Sequence, residues 1–129
     1  MKPQPILIVD DDPGALNSLR FLLESEGYSV VSYSGGAELL HALRAGPIGR
    51  AGCLILDFKM PGMDGLDLYD RLRQIDFDTP VILMTGHPDP SIATRARAVG
   101  LALIEKPLSQ DMLLSAVRAA GGEHPRISP

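Results

Sequence analysis

The stretch that decides the fold is "PILIVDDDPG", residues 5–14, in which a short apolar run meets three aspartates, a proline and a glycine. A continuous apolar run of this length reads as a strand covered on both faces. Asp12 followed by Pro13 reads as a helix N-cap with proline at the first helical position. Leu16, Leu19 and Leu23 then recur at helical spacing as far as Gly27. The stretch is a strand that turns directly into a helix, with carboxylates crowded at the turn. Two carboxylates about 4 Å apart repel by roughly 4 kcal/mol near a protein surface. Either solvent screens them or a cation belongs beside them.

The same unit repeats along the chain. Further apolar runs are "YSVVSY" (28–33), "CLIL" (53–56), "VILM" (81–84) and "LALI" (101–104). Amphipathic segments lie between them. Ala37, Leu40 and Ala45 carry a second helix ending near Gly46, and Leu66, Tyr69 and Leu72–Arg73 mark a third. Ile92, Ala96 and Val99 form a thin fourth stripe stopped by Gly100, and a fifth helix opens at Ser109 and runs through Leu113, Ala116, Val117 and Ala120. Five alternations of strand and helix predict an α/β domain with a mostly parallel sheet and helices on both faces. The last stretch, "GGEHPRISP" (121–129), has no periodicity, so residues 1–120 read as the domain and 121–129 as a linker or disordered tail.

Composition narrows the function classes. The 129 residues are 45% hydrophobic and 22% charged, which suits one globular domain rather than a disordered chain or a coiled coil. A net charge of −4 with scattered basic residues lacks the footprint of a nucleic-acid binder. No apolar run approaches the roughly 20 residues that cross a bilayer. The single cysteine, Cys53, reads as a small buried hydrophobe and fits a reducing cytoplasm.

In parallel sheets ligands bind beyond the carboxyl ends of the strands, so the residues there are the site candidates. The first strand ends in Asp10, Asp11 and Asp12, the third in Asp57, the fourth in Thr85, and the fifth in Glu105 and Lys106. Each has a plain reading: Asp12 as a cap, Asp10 as a solvated acid, Thr85 as a turn residue, Lys106 as surface charge. Together they offer hard oxygen ligands suited to Mg²⁺, a hydroxyl and an ammonium that would stabilise a phosphoryl group, and a carboxylate able to act as a nucleophile.

With "ILIVDDD", "LILDFKMPGMDG", "VILMTGH" and "IEKPL" in order, the sequence resembles the response-regulator receiver domains of bacterial two-component signalling, over residues 5 to about 120. "TGH" and "IEKP" are most similar to receivers of nitrogen-fixation regulators. The resemblance implies a flavodoxin-like (βα)5 fold with strand order 2-1-3-4-5. It implies that Asp57 accepts the phosphoryl group, that Asp11 and Asp57 bind Mg²⁺ with the Lys59 main-chain carbonyl, and that Asp10 supports the metal through water. Thr85 would be the switch hydroxyl, and Lys106, joined to Pro107 by a cis bond, the phosphate-contacting lysine. The implied partners are a sensor histidine kinase as donor, a downstream effector domain or partner protein, and a second copy through the fourth helix, fifth strand and fifth helix. The implied location is the cytoplasm.

One departure stands out. Receivers usually carry Tyr or Phe three residues before the lysine, and here that position is Leu103, which has no ring to exchange environments. His87 reads as an exposed loop residue, or alternatively as one close enough to influence the attacking water. His41 and His124 read as surface residues. Other readings fit less well. An aspartyl-nucleophile phosphatase would want an acid where Lys59 stands, and an FMN carrier would want a Ser/Thr/Gly-rich loop where the aspartates stand. A phosphorylation-independent pseudo-receiver would not need the intact ionic set. The domain is expected to assist its own phosphorylation and dephosphorylation, without being an enzyme for an outside substrate.

Overall fold

In a computed structural model the chain runs β1 (Ile6–Val9), α1 (Pro13–Ser25), β2 (Val30–Tyr33), α2 (Gly36–Ala45), β3 (Cys53–Asp57), α3 (Gly65–Gln74), β4 (Val81–Thr85), α4 (Pro90–Ala98), β5 (Ala102–Glu105) and α5 (Gln110–Ala119). The structure describes residues 4–45, 51–86, 89–106 and 109–120. The segment 121–129, His87, and the Lys106–Pro107 bond expected to be cis all lie outside them.

All five strands pair in parallel, in the order β2-β1-β3-β4-β5. The central strands β1, β3 and β4 are buried at every residue, as their unbroken apolar runs require. The edge strands are partly exposed. Alternation splits the core in two. Ile6, Ile8, Ile55, Ile82 and Met84 pack with Leu19 and Leu23 of α1 and Leu113 and Val117 of α5. Leu7, Val9, Leu54, Leu56 and Leu83 pack on the other face with residues of α2, α3 and α4.

The helix starts explain where the chain turns. Asp12 caps α1 by accepting from the Gly14 N–H at 3.0 Å, with Pro13 in the first turn. Asp89 caps α4, and Ser109 caps α5 by accepting from Met112 N at 3.1 Å. Asp64 and Asp67 form a reciprocal capping box on α3. In α2 the buried residues are Gly36, Leu39 and Leu40, whereas Ala37 and Ala45, expected in its apolar stripe, are exposed. The larger leucines set the rotation of that helix, because they have more apolar area to bury. β2 and β5 begin later than their apolar runs, and β5 extends to Glu105.

Candidate functional site

Register and side-chain alternation bring the ionic residues together. Val9 pairs with Leu56, so Asp10 and Asp57 leave the sheet at the same level. Thr85 pairs with Glu105, so Lys106 emerges one residue beyond. Asp57 continues the Cys53–Ile55 row, Asp10 the Ile6–Ile8 row, and Lys106 the row of Ile104, all on the face covered by α1 and α5.

The resulting geometry is tight. Lys106 Nζ lies 3.0 Å from Asp57 Oδ1 and 3.5 Å from Asp10 Oδ2. Asp10 Oδ1 accepts the backbone N–H of Asp12 at 3.0 Å. Asp10, Asp11 and Asp57 each offer an oxygen, and these atoms lie within 4.8 Å of one another. Asp10 and Asp57 are buried and Asp11 is exposed. Thr85 is buried at the end of β4, and its carbonyl accepts from Lys106 N at 2.7 Å. Lys59 is exposed two residues beyond Asp57. Leu103 is half-buried against the cluster that contains Leu83, Ile92 and Ala96.

The charges do not balance. Burial pushes the Asp57 carboxyl above its ordinary range; the hydrogen bond from Lys106 opposes this, and the Asp10 and Asp11 charges add to it. Burial also disfavours the Lys106 ammonium, yet its bond to Asp57 and the charges of Asp57 and Asp10 outweigh that and raise its pKa. One ammonium faces three carboxylates. A hard divalent cation fits this donor set: it takes oxygen ligands and would offset the remaining repulsion.

Two features of the site were missed in the sequence. Gly65 N donates to Phe58 O at 2.8 Å, and a Cβ on Gly65 would lie 2.8 Å from Asp57 O and 3.0 Å from Phe58 Cα. The start of α3 therefore sits directly on the backbone that carries Asp57. The D-x-x-D spacing of Asp64 and Asp67, a capping-box signature, was the available signal. The second feature is a groove of about 610 Å³ between α1 and α5, walled by residues such as Leu19, Leu22 and Leu113, which opens onto Asp10 and Lys106. No helix among the described residues is long and apolar enough to cross a membrane.

The sequence profile of the response regulator receiver domain matches residues 6–118. The chain belongs to this family. As a receiver it is 40% identical, over 119 residues, to the transcriptional regulatory protein FixJ of Azorhizobium caulinodans, covering 92% of this chain and 55% of that protein. The crystal structure of FixJ-N overlays on it with a TM-score of 0.83 at 30% identity, covering 94% of this receiver and 95% of that chain. A receiver domain protein from Clostridium thermocellum gives a TM-score of 0.82 at 30% identity, covering 91% and 93%. The chain spans between about a quarter and about half the length of the curated relatives it matches, 55% of this FixJ and 26% of GlrR of Escherichia coli. Flavodoxin-like topology in the order 2-1-3-4-5 thus agrees with the fold that the resemblance implied.

Proposed function

We propose that this receiver accepts a phosphoryl group on Asp57 in a Mg²⁺-dependent reaction and signals through the face formed by α4, β5 and α5. The observation that carries the reading is Asp57 itself: a buried carboxylate at a strand end, 3.0 Å from an ammonium and clustered with two further carboxylates. The donor is a phosphohistidine of a sensor histidine kinase. An Asp57 oxygen attacks phosphorus, the P–N bond to the donor imidazole breaks, and the imidazole nitrogen leaves with the electron pair and is protonated. The groove between α1 and α5 opens onto Asp10 and Lys106, the residues beside that carboxylate.

Asp11, Asp57 and the Lys59 main-chain carbonyl would hold Mg²⁺, with Asp10 acting through water. When bound, the ion supplies positive charge to the phosphoryl oxygens and the carboxylates. Lys106 moves its ammonium from the Asp57 carboxylate to the new phosphoryl oxygens, and the Thr85 hydroxyl is drawn toward them. The bond from Lys106 N to Thr85 O links those two movements through the backbone. Phosphorylation adds roughly −1.5 to −2 charges. A full population swing from 1:99 to 99:1 needs about 5.5 kcal/mol of differential stabilisation.

In this reading the domain, residues 1–120, catalyses only its own phosphorylation and dephosphorylation in the cytoplasm. Its output goes to an effector domain, a partner protein or a second copy docked on the α4–β5–α5 face. His87, which follows Gly86, tunes the lifetime of the phosphorylated state. The test is treatment with a small phosphodonor with and without Mg²⁺, read by intact mass. A mass gain that requires Mg²⁺ is expected, and no gain refutes the proposal.

A further inference from the structure

Asp10 is buried, and its two oxygens have different duties. Oδ2 faces Lys106 at 3.5 Å, and Oδ1 accepts the Asp12 N–H at 3.0 Å. That N–H fixes which way the carboxylate turns toward the ammonium and toward Asp57. Its own direction is set by Asp12 acting as a cap. The Asp12 side chain accepts from Gly14 N at 3.0 Å, its carbonyl accepts from Leu16 N at 3.0 Å, and its backbone is extended at φ −93 and ψ 113. Pro13 favours the same extended conformation in the residue before it. The chain of contacts runs from Gly14 to the Asp12 carboxylate, through the Asp12 backbone, to the Asp10 carboxylate, and on to Lys106.

We infer that Asp12 is a positioning residue for the metal and phosphoryl site, acting through its capping hydrogen bond and not through its charge. The inference rests on the proposed Mg²⁺-dependent chemistry and adds a residue to it. Groups that orient a metal's ligands typically cost 10- to 100-fold in metal affinity or activity when removed. Asp12 acts at one remove from Asp10, so the lower end, about tenfold, is expected.

The charge and the cap can be separated, because Asn and Ser cap helices about as well as Asp whereas Ala does not. The experiment compares the parent with Asp12→Ala, Asp12→Asn and Asp12→Ser. Mg²⁺ affinity is measured by calorimetry, the phosphorylation rate with a small phosphodonor, and the melting temperature in EDTA. The expected result is that Asp12→Ala binds Mg²⁺ about tenfold more weakly and is phosphorylated correspondingly more slowly, while Asp12→Asn and Asp12→Ser stay near the parent. If Asp12→Asn falls as far as Asp12→Ala, charge is responsible and the inference is overturned. It is equally overturned if Asp12→Ala melts lower but keeps the parent's Mg²⁺ affinity and rate, since the cap is then only structural. A parent that neither binds Mg²⁺ nor gains phosphoryl overturns the proposed chemistry, and the inference with it.

Discussion

Replacing Gly65 with alanine should damage the site from behind. A Cβ there would lie 2.7 Å from Leu83 Cδ1, 2.8 Å from Asp57 O and 3.0 Å from Phe58 Cα. Carbon atoms rest at about 3.5–4.0 Å, so gaps of several tenths of an ångström to about 1 Å must open. Leu83 is fully buried in β4, and the other two atoms are backbone, so none of them yields cheaply. Overpacking of this kind costs about 1–3 kcal/mol. At roughly 4 °C per kcal/mol for a domain of this size, the melting temperature should fall by about 4–12 °C. The backbone that moves is that of Asp57, and a misplacement of about 1 Å can slow a positioned reaction up to about 100-fold. Thermal unfolding in EDTA and phosphorylation with a small donor measure the two effects. Gly35→Ala is the control, since its Cβ would meet nothing within 4 Å. A Gly65→Ala variant that melts and reacts like the parent would refute the reasoning.

In metal-free protein Asp57→Asn should raise stability at neutral pH. The folded pKa of Asp57 lies above its ordinary 3.8, chiefly because of burial, so its contribution is fully present below pH 3.8 and lost as pH rises through the folded value. Denaturant melts of parent and variant across that range check this, and a parent that gains on the variant with rising pH contradicts it. Burial pushes the Cys53 thiol up to about 12 from 9.0, so its contribution is complete below pH 9.0 and lost as pH climbs toward 12. A thiol reagent at pH 8 should therefore modify Cys53 only as fast as the fold opens, and immediate reaction of the native protein would count against this. Leu103→Tyr should change dimerisation, read by sedimentation, or output while leaving Asp57 phosphorylation largely intact; loss of phosphorylation would sink that expectation.

The fold was legible because strand and helix periods alternate cleanly and the three central runs are unbroken. Strand order was not legible from periodicity, which says nothing about which strands are neighbours; it came from the resemblance. In α2 the sequence offers alanines and leucines at competing helical faces, and only packing against the sheet decides for Leu39 and Leu40. At the site, the grouping of Asp10, Asp57 and Lys106 followed from their places at the carboxyl ends of strands. The exposure of Asp11 and the bond from Asp12 N to Asp10 Oδ1 did not, because both depend on the path of one turn. Gly65 was hidden for a related reason. A glycine's role depends on what approaches it, and the approaching atoms belong to Asp57, Phe58 and a strand 18 positions further on, at Leu83.

The central claim is that Asp57 is the phosphoryl acceptor. Its most direct test is to treat the parent chain with a small phosphodonor and Mg²⁺, trap the acyl phosphate by borohydride reduction, and locate the product by peptide mass spectrometry. The account predicts a single reduced residue at Asp57, absent in EDTA and absent in Asp57→Ala. Label on Asp10, Asp11 or another residue of the parent, or label that persists without Mg²⁺, would contradict it.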